Sequence, residues 1–370
     1  MKQKTERILL LLLCGGLWLA LAVWTWVKPA DAYSYSERRD LAQMPAFSLQ
    51  SFFAGDFTAD FADAATDQFP ARDLFRSLKA NAAYRIYGLR DNNGIYLAEG
   101  HLSKLEYPMN EQMLAHAAKL FQKVYQNNIE GSGCRVYFSI VPDKNAHLAA
   151  QNGYLALDYA ALENYMRAET DSYMQYIDIS PLLSLSDYYT TDSHWRQECI
   201  ADVAAALGDA MGADVQADYR EVTVDVPFLG VWAGQAALNV PADSLRYLTS
   251  DVLDACRVYS MTQPDTPVSM PLYDMEKAQG KDPYEMFLGG TQGLVVLENP
   301  LCGTGRELVI FRDSFGSAIA PLLLEGYSRI TVLDLRYLRS DYIANFVEFH
   351  GQDVLFLYST MLLNSSLAMQ

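Results

Sequence analysis

Apolar residues run without a charge from Ile8 to Val27, bounded by Lys2, Lys4 and Arg7 on one side and Lys28-Pro29 on the other. A helix of about 20 such residues crosses ~30 Å of hydrocarbon. Trp18, Trp24 and Trp26 suit the far interface, and the basic leader points inward. The pattern predicts an N-terminal signal anchor over residues 1–29, a single pass through the cell membrane with the rest of the chain extracytoplasmic. The competing reading is a cleaved signal peptide with Ala30-Asp31-Ala32 as its cut site, which leaves the protein secreted.

Beyond Lys28 the pattern becomes mixed. A polar linker over 30–43 precedes an aromatic and acidic stretch, Phe47 to Tyr87, which ends in an amphipathic helix from Ala71. Asn92-Asn93-Gly94 is a turn, followed by a short strand at Ile95–Ala98. Residues 30–109 therefore form a linker and an N-terminal extension expected to pack on the main domain.

A strand–helix rhythm then begins. Met113, Leu114, Ala117, Leu120, Phe121 and Val124 have helical spacing within 110–127. Arg135–Val141 reads as a strand closed by Pro142, Tyr159–Thr170 as helix, Tyr176–Ile179 as strand and Gln197–Met211 as an Ala-rich helix. Between about 218 and 290 the rhythm breaks into Pro, Gly, Asp and aromatics, the signature of an inserted lobe or long loops. It resumes as Glu307–Phe311 (strand), Ser317–Glu325 (helix), Arg329–Leu335 (strand), Leu338–Phe349 (helix) and Asp353–Tyr358 (strand). Short alternating elements of this kind imply parallel strands with right-handed crossovers. The fold class is α/β, a three-layer α/β/α domain over 110–370 with a mostly parallel sheet, and such sheets bind ligands beyond the carboxyl ends of their strands.

Charge narrows the partners. With 28 Lys+Arg against 45 Asp+Glu the chain carries −17, which argues against nucleic acid and against anionic membrane surfaces. The five cysteines show no CxxC and no Cys/His cluster with metal spacing, so no metal is expected. Cys14 lies in the apolar run. Cys134, Cys199, Cys256 and Cys302 are either buried thiols or two disulfides, with Cys256–Cys302 the first pair to test.

Two segments hold the candidate chemistry: Asp192-Ser193-His194-Trp195 and Arg312-Asp313-Ser314-Phe315-Gly316. Ser314 falls where a strand hands over to a helix, so unpaired N–H groups of the first turn lie beside its hydroxyl. Asp192 and His194 lie two apart and share a face of an extended segment, which lets the carboxylate orient the imidazole. Nucleophilic acyl transfer needs this hydroxyl, base and acid. The plain alternative makes Ser314 and Asp192 helix caps, and the sequence around Ser314 is not a GxSxG elbow. Lys144, after Pro142-Asp143, and Asn364, past the last strand, are candidate substrate or oxyanion groups, as is Arg312, whose default reading is a surface ion pair with Asp313.

Together these motifs resemble the DHHW family of bacterial surface proteins, which is similar to the AlgX/AlgJ-type alginate O-acetyltransferases with a permuted SGNH-hydrolase-like domain. Asp67-Gln68-Phe69-Pro70-Ala71-Arg72-Asp73 and Leu357-Tyr358-Ser359-Thr360 extend the match, which spans roughly 35 to 366. Ser193 stands at the middle histidine of the name-giving motif, and the Gly-Asn-Asp block of ordinary SGNH hydrolases is missing. The resemblance implies an O-acetyltransferase or acetylesterase acting on a cell-envelope polysaccharide, with Asp192, His194 and Ser314 as its triad and no cofactor. It also implies an acetylated glycan as substrate and a membrane-bound acyl-donor protein as partner for a transferase. A catalytically inactive glycan-binding or assembly scaffold is the alternative.

Overall fold

The computed structural model describes residues 2–264 and 266–370. It resolves into two compact units, one of residues 1–93 with 233–240 and one of 94–232 with 241–370.

The first unit opens with helix α1 (Lys2–Val27), in which the stretch Lys4–Val27 has a mean hydropathy of 2.3 and buries none of its most apolar window. By length and composition it fits a membrane anchor or a signal sequence. Three helices follow: α2 (Leu49–Ala54), α3 (Asp56–Asp67) and α4 (Arg72–Arg85). The Asp67–Asp73 motif is the turn between the last two. Asp67 is 7 % exposed and takes a forked pair of bonds from Arg39 at 2.8 and 2.6 Å, plus one from the Ala42 N–H at 2.9 Å. The Arg39 guanidinium accordingly pulls the Asp67 carboxyl down to about 2. Gln68 ties the same turn back to the foot of α1, accepting from Asp31 N–H and Lys28 Nζ and donating to the carbonyls of Asp31 and Ala42.

The second unit is built on an eight-stranded sheet. Its strands are β1 (Arg135–Val141), β2 (Gln175–Tyr176), β3 (Arg257–Met261), β4 (Pro267–Met270), β5 (Leu294–Glu298), β6 (Glu307–Arg312), β7 (Arg329–Leu333) and β8 (Asp353–Ser359). The spatial order is β4-β3-β5-β7-β6-β8-β1-β2. The run β7-β6-β8-β1-β2 is parallel, while β5, β3 and β4 extend it antiparallel. The central strands are buried on both faces and therefore almost wholly apolar. Alternate residues of β6 separate cleanly: Leu308 and Ile310 meet α7 (Ala201–Met211) and α8 (Gly316–Leu323), whereas Val309 and Phe311 meet α5 (Glu111–Val124) and α6 (Tyr159–Thr170). The result is a three-layer α/β/α sandwich.

Several elements differ from the sequence expectation. The stretch 218–290 is more ordered than a looped lobe: it supplies β3 and β4, and a separate hairpin pairs 220–228 with 243–249. Val222, Val224 and Val226 alternate inward there, but the Pro-rich surroundings mask the period. Leu338–Phe349 forms only a 3-10 turn at Ser340–Asn345, because Ile343 is its single buried apolar anchor. The strand expected at Tyr176–Ile179 is Gln175–Tyr176, continued by one bond from Ile177 N–H to the Phe138 carbonyl. All five cysteines are free thiols. The Cys256–Cys302 pairing is corrected on that ground, since Cys256 Sγ turns to the Leu253 carbonyl and Cys302 Sγ to Thr304 Oγ1.

Phe356 packs between Phe121 and Phe311 at ring separations of 5.1 and 4.5 Å in the middle of the sheet. Phe356→Ala is expected to lower unfolding free energy by about 3–5 kcal/mol, measured by urea denaturation.

Candidate active site

The carboxyl ends of β6, β8 and β1 lie side by side, and buried carboxylates lock them together. Asp313, directly after β6, accepts from the Ser359 N–H at the end of β8 at 2.8 Å and from the Phe315 N–H at 3.0 Å. Asp143, just beyond β1, accepts from Thr360 Oγ1 at 2.8 Å, Tyr159 OH at 2.9 Å and the Asn145 N–H at 2.8 Å. The Pro-Asp-Lys and Leu-Tyr-Ser-Thr motifs are thus each other's partners. Burial alone would push the Asp143 carboxyl up, and these three donors oppose that shift.

Ser314 sits on the turn between β6 and α8, partly exposed among buried neighbours. Gly316 opens the helix as glycine because a Cβ there would lie 2.5 Å from Arg312 Cβ. Arg312 and Asp313 are 1 % and 2 % exposed, so the surface ion pair expected between them does not form. Arg312 runs inward to Asp334 at 3.0 Å, and Asp334 also holds Arg336. Burial pulls the Arg312 guanidinium below its ordinary value, and its Nε is enclosed with no acceptor among the described residues.

The second segment is a tight reversal. Tyr188 and Trp195 pair antiparallel, and the Tyr189 N–H donates to the His194 carbonyl. The Asp243 carboxylate grips its tip with four bonds of 2.5–2.9 Å to the N–H and hydroxyl groups of Thr190 and Thr191. From the other side come Gly230 N–H to Thr191 Oγ1, Val231 N–H to Asp192 Oδ2 and Trp232 N–H to the Thr191 carbonyl. Asp192 is completely buried.

The two segments meet. His194 Nδ1 is 2.6 Å from Asp192 Oδ1, and His194 Nε2 is 2.8 Å from Ser314 Oγ. Trp195 Nε1–H fastens the pair of segments again by donating to the Phe315 carbonyl at 3.1 Å. The imidazole lies flat on the Tyr284 ring, centroids 3.9 Å apart and 9° from parallel. Such an arrangement links a buried acid, an oriented imidazole and an accessible hydroxyl in one line.

Lys144 and Asn364 have other occupations. Lys144, 1 % exposed, donates to the carbonyls of Leu102, Tyr189 and Thr190, fixing the backbone that leads into Asp192. Burial pushes its ammonium down to about 7, while Asp192, Asp243 and Asp143 pull it up. Three carbonyl acceptors suit three N–H donors, which favours the charged form. Asn364 caps the start of α5, accepting from the Asn110 N–H and donating to the Pro108 carbonyl. Gly230, Asp243 and Tyr284 belong to no motif in the sequence, and all three lie in the irregular-looking stretch 218–290. Among the described residues no cluster of His, Cys, Asp or Glu has the makings of a metal site.

No protein-family profile matches the chain, and no curated protein matches its sequence. The structure is similar to that of a DHHW family protein from Eubacterium siraeum, 21 % identical, with a TM-score of 0.51 over 74 % of this chain and 93 % of that one. It is also similar to Bacillus cereus PatB1 with a sulfonyl adduct, 18 % identical, TM-score 0.54, over 73 % and 94 %. The O-acetyltransferase domain of Pseudomonas putida AlgJ is a looser match, 15 % identical, TM-score 0.43, over 73 % and 92 %. At such identities the likeness is one of fold, an α/β domain built on a large, mostly parallel sheet.

Two outcomes follow from this geometry. A Cβ on Gly230 would lie 2.3 Å from Asp192 Cβ, so Gly230→Ala is expected to lower stability by about 1–3 kcal/mol in urea denaturation. Gly303→Ala, with nothing near its Cβ, is the control that leaves stability unchanged. His101, beside Lys144, has its pKa pushed down to about 4 from 6.5 by burial and then by the Lys144 charge. Between those values the unfolded chain takes up a proton that the folded one refuses. The His101 contribution is therefore intact above pH 6.5 and drains away as pH falls towards 4. His101→Gln should flatten the loss of stability between pH 7 and 4.5, read from urea midpoints, and an unchanged slope would refute the assignment.

Proposed function

We propose that this protein is a membrane-anchored, extracytoplasmic serine acyltransferase or esterase acting on O-acetyl groups of a cell-surface or exported polysaccharide. The observation that carries the reading is the unbroken hydrogen-bond line from Asp192 through His194 to Ser314. The motif resemblance to the DHHW group and the alginate O-acetyltransferases supplies the acyl group and the glycan.

In this reading Ser314 Oγ attacks the acetyl carbonyl carbon as His194 Nε2 takes its proton. The Ser314 N–H, which has no acceptor among the described residues, donates to the oxyanion. Collapse breaks the bond to the donor oxygen, which leaves with the proton returned by His194, and an acetyl-serine remains. A sugar hydroxyl or water then attacks that ester, giving its proton to His194. The acetyl group passes to oxygen of the acceptor, and Ser314 regains its proton. Asp192 stays ionised throughout and stabilises the imidazolium, with the Tyr284 ring face against the cation. Lys144 and Arg312 act as positioning residues behind the two segments, and a membrane-bound acyl donor is the partner a transferase requires.

The full chain incubated with 4-nitrophenyl acetate should give an acetyl adduct on Ser314 by mass spectrometry. Ser314→Ala should abolish the adduct, and His194→Ala should slow turnover by about 10³-fold or more. Wild type turning over no faster than Ser314→Ala would leave the glycan-binding scaffold as the function. Acetylated oligosaccharide against free acetate as product separates transferase from esterase.

A further inference from the structure

The first unit contains a cavity of about 590 Å³, within the usual range for small-molecule sites. Arg72, Arg76 and Lys79 lie at i, i+4 and i+7 of α4 and so share the face that lines it. Phe69 and Phe75, in edge-to-face contact at 5.4 Å, give it an apolar wall, and Ala65 and Thr66 of α3 close another side.

Charge is unevenly divided between the two units. The first unit holds eleven Lys and Arg against ten Asp and Glu, so the net negative charge of the chain lies wholly in the second. Near the cavity, four cations (Arg39, Arg72, Arg76, Lys79) face three carboxylates (Glu37, Asp67, Asp73). The three arginines share those carboxylates. Lys79 has no carboxylate partner among the described residues, and its ammonium donates to Asn92 Oδ1 at 2.7 Å. One positive charge is left over at the cavity wall.

The cavity also has a defined depth. Phe61 of α3 meets Trp26, at the end of α1, with ring centroids 5.7 Å apart. Ala65 is one turn further along α3, a rise of about 6 Å. Gln68, in the turn bounding the cavity, bonds Lys28 at the foot of α1. The headgroup layer on each side of the hydrocarbon is also several ångströms deep. An apolar wall beside an unmatched cation, one helical turn from the end of a membrane-crossing helix, suits an amphiphile bearing a single negative charge.

We propose that this cavity binds an anionic phospholipid of the leaflet in which α1 ends, its phosphate on Lys79 and its first acyl carbons along Phe69 and Phe75. The inference rests on α1 remaining in the membrane as an anchor. It does not depend on the acyl-transfer chemistry of Ser314.

The test uses the full chain in a neutral detergent, titrated with phosphatidylglycerol, phosphatidylcholine and glycerol phosphate, with retained ligand counted by native mass spectrometry. Wild type should retain phosphatidylglycerol in preference to phosphatidylcholine. Lys79→Ala should weaken that binding about ten-fold, and Lys79→Arg should restore it. Lys79 is exposed, so these variants are expected to fold, which circular dichroism verifies. Equal retention of the two lipids, or unchanged binding in Lys79→Ala, overturns the proposal. Glycerol phosphate held as tightly as the lipid overturns the lipid assignment in favour of a soluble phosphate. Alkaline extraction of wild type from phosphatidylcholine vesicles tests the anchor separately: release there defeats the anchor, while the detergent titration still decides the cavity.

Discussion

A carboxylate with no solvent exposure must find all its hydrogen bonds inside the protein, and Asp192 sets that demand. It is met by the Val231 N–H on one oxygen and by the N–H and ring of His194 on the other. Each of those donors needs its own support. The 230–232 backbone approaches so closely that only glycine fits at 230. Asp243 and Lys144 fasten the preceding residues from opposite chemical directions, a carboxylate on N–H and hydroxyl groups and an ammonium on carbonyls. An unpaired buried charge costs several kcal/mol, so the local structure is coupled: loosening one support leaves another group unsatisfied.

The sheet provides the complementary constraint. Parallel neighbours β8 and β1 end level, β6 stops two residues short of them, and the loops leaving the three are stitched by Asp313–Ser359 and Asp143–Thr360. Ser314 is thereby fixed by two strands besides its own. Trp195 then couples the turn carrying His194 to the turn carrying Ser314 through one indole bond. The imidazole and the hydroxyl sit on two turns, each tied to its surroundings by several hydrogen bonds.

How much of this is readable from residues alone depends on the range of the contacts. Strands β6, β7 and β8 are legible because each is a short apolar run with a near neighbour in sequence. The pairing of Asp192 with His194 is legible from spacing. Ser314, 120 residues from His194, stands out only through its place after a strand and through the motif resemblance. Gly230, Asp243 and Tyr284 carry no local signal, since their importance arises from contacts with Thr191, Thr191 and His194, respectively 39, 52 and 90 residues away in the chain. Lys144 is legible as a residue beyond a strand end, but not that its three donors point at backbone carbonyls. Arg312 beside Asp313 suggests an ion pair, and only the fold brings the competing Asp334 to it.

The stacked ring of Tyr284 belongs to a short 3-10 turn, Pro283–Met286, in the least regular part of the second unit. One whole face of the imidazole is therefore furnished by a segment whose length is not dictated by any strand of the sheet. Insertions and deletions there would uncover the imidazole while leaving Asp192, His194 and Ser314 in place in the sequence. Tyr284 is itself 4 % exposed and packs in the core with Met286 and Phe287, so a change of length in this turn would strip one face of the imidazole and loosen the packing beneath it together.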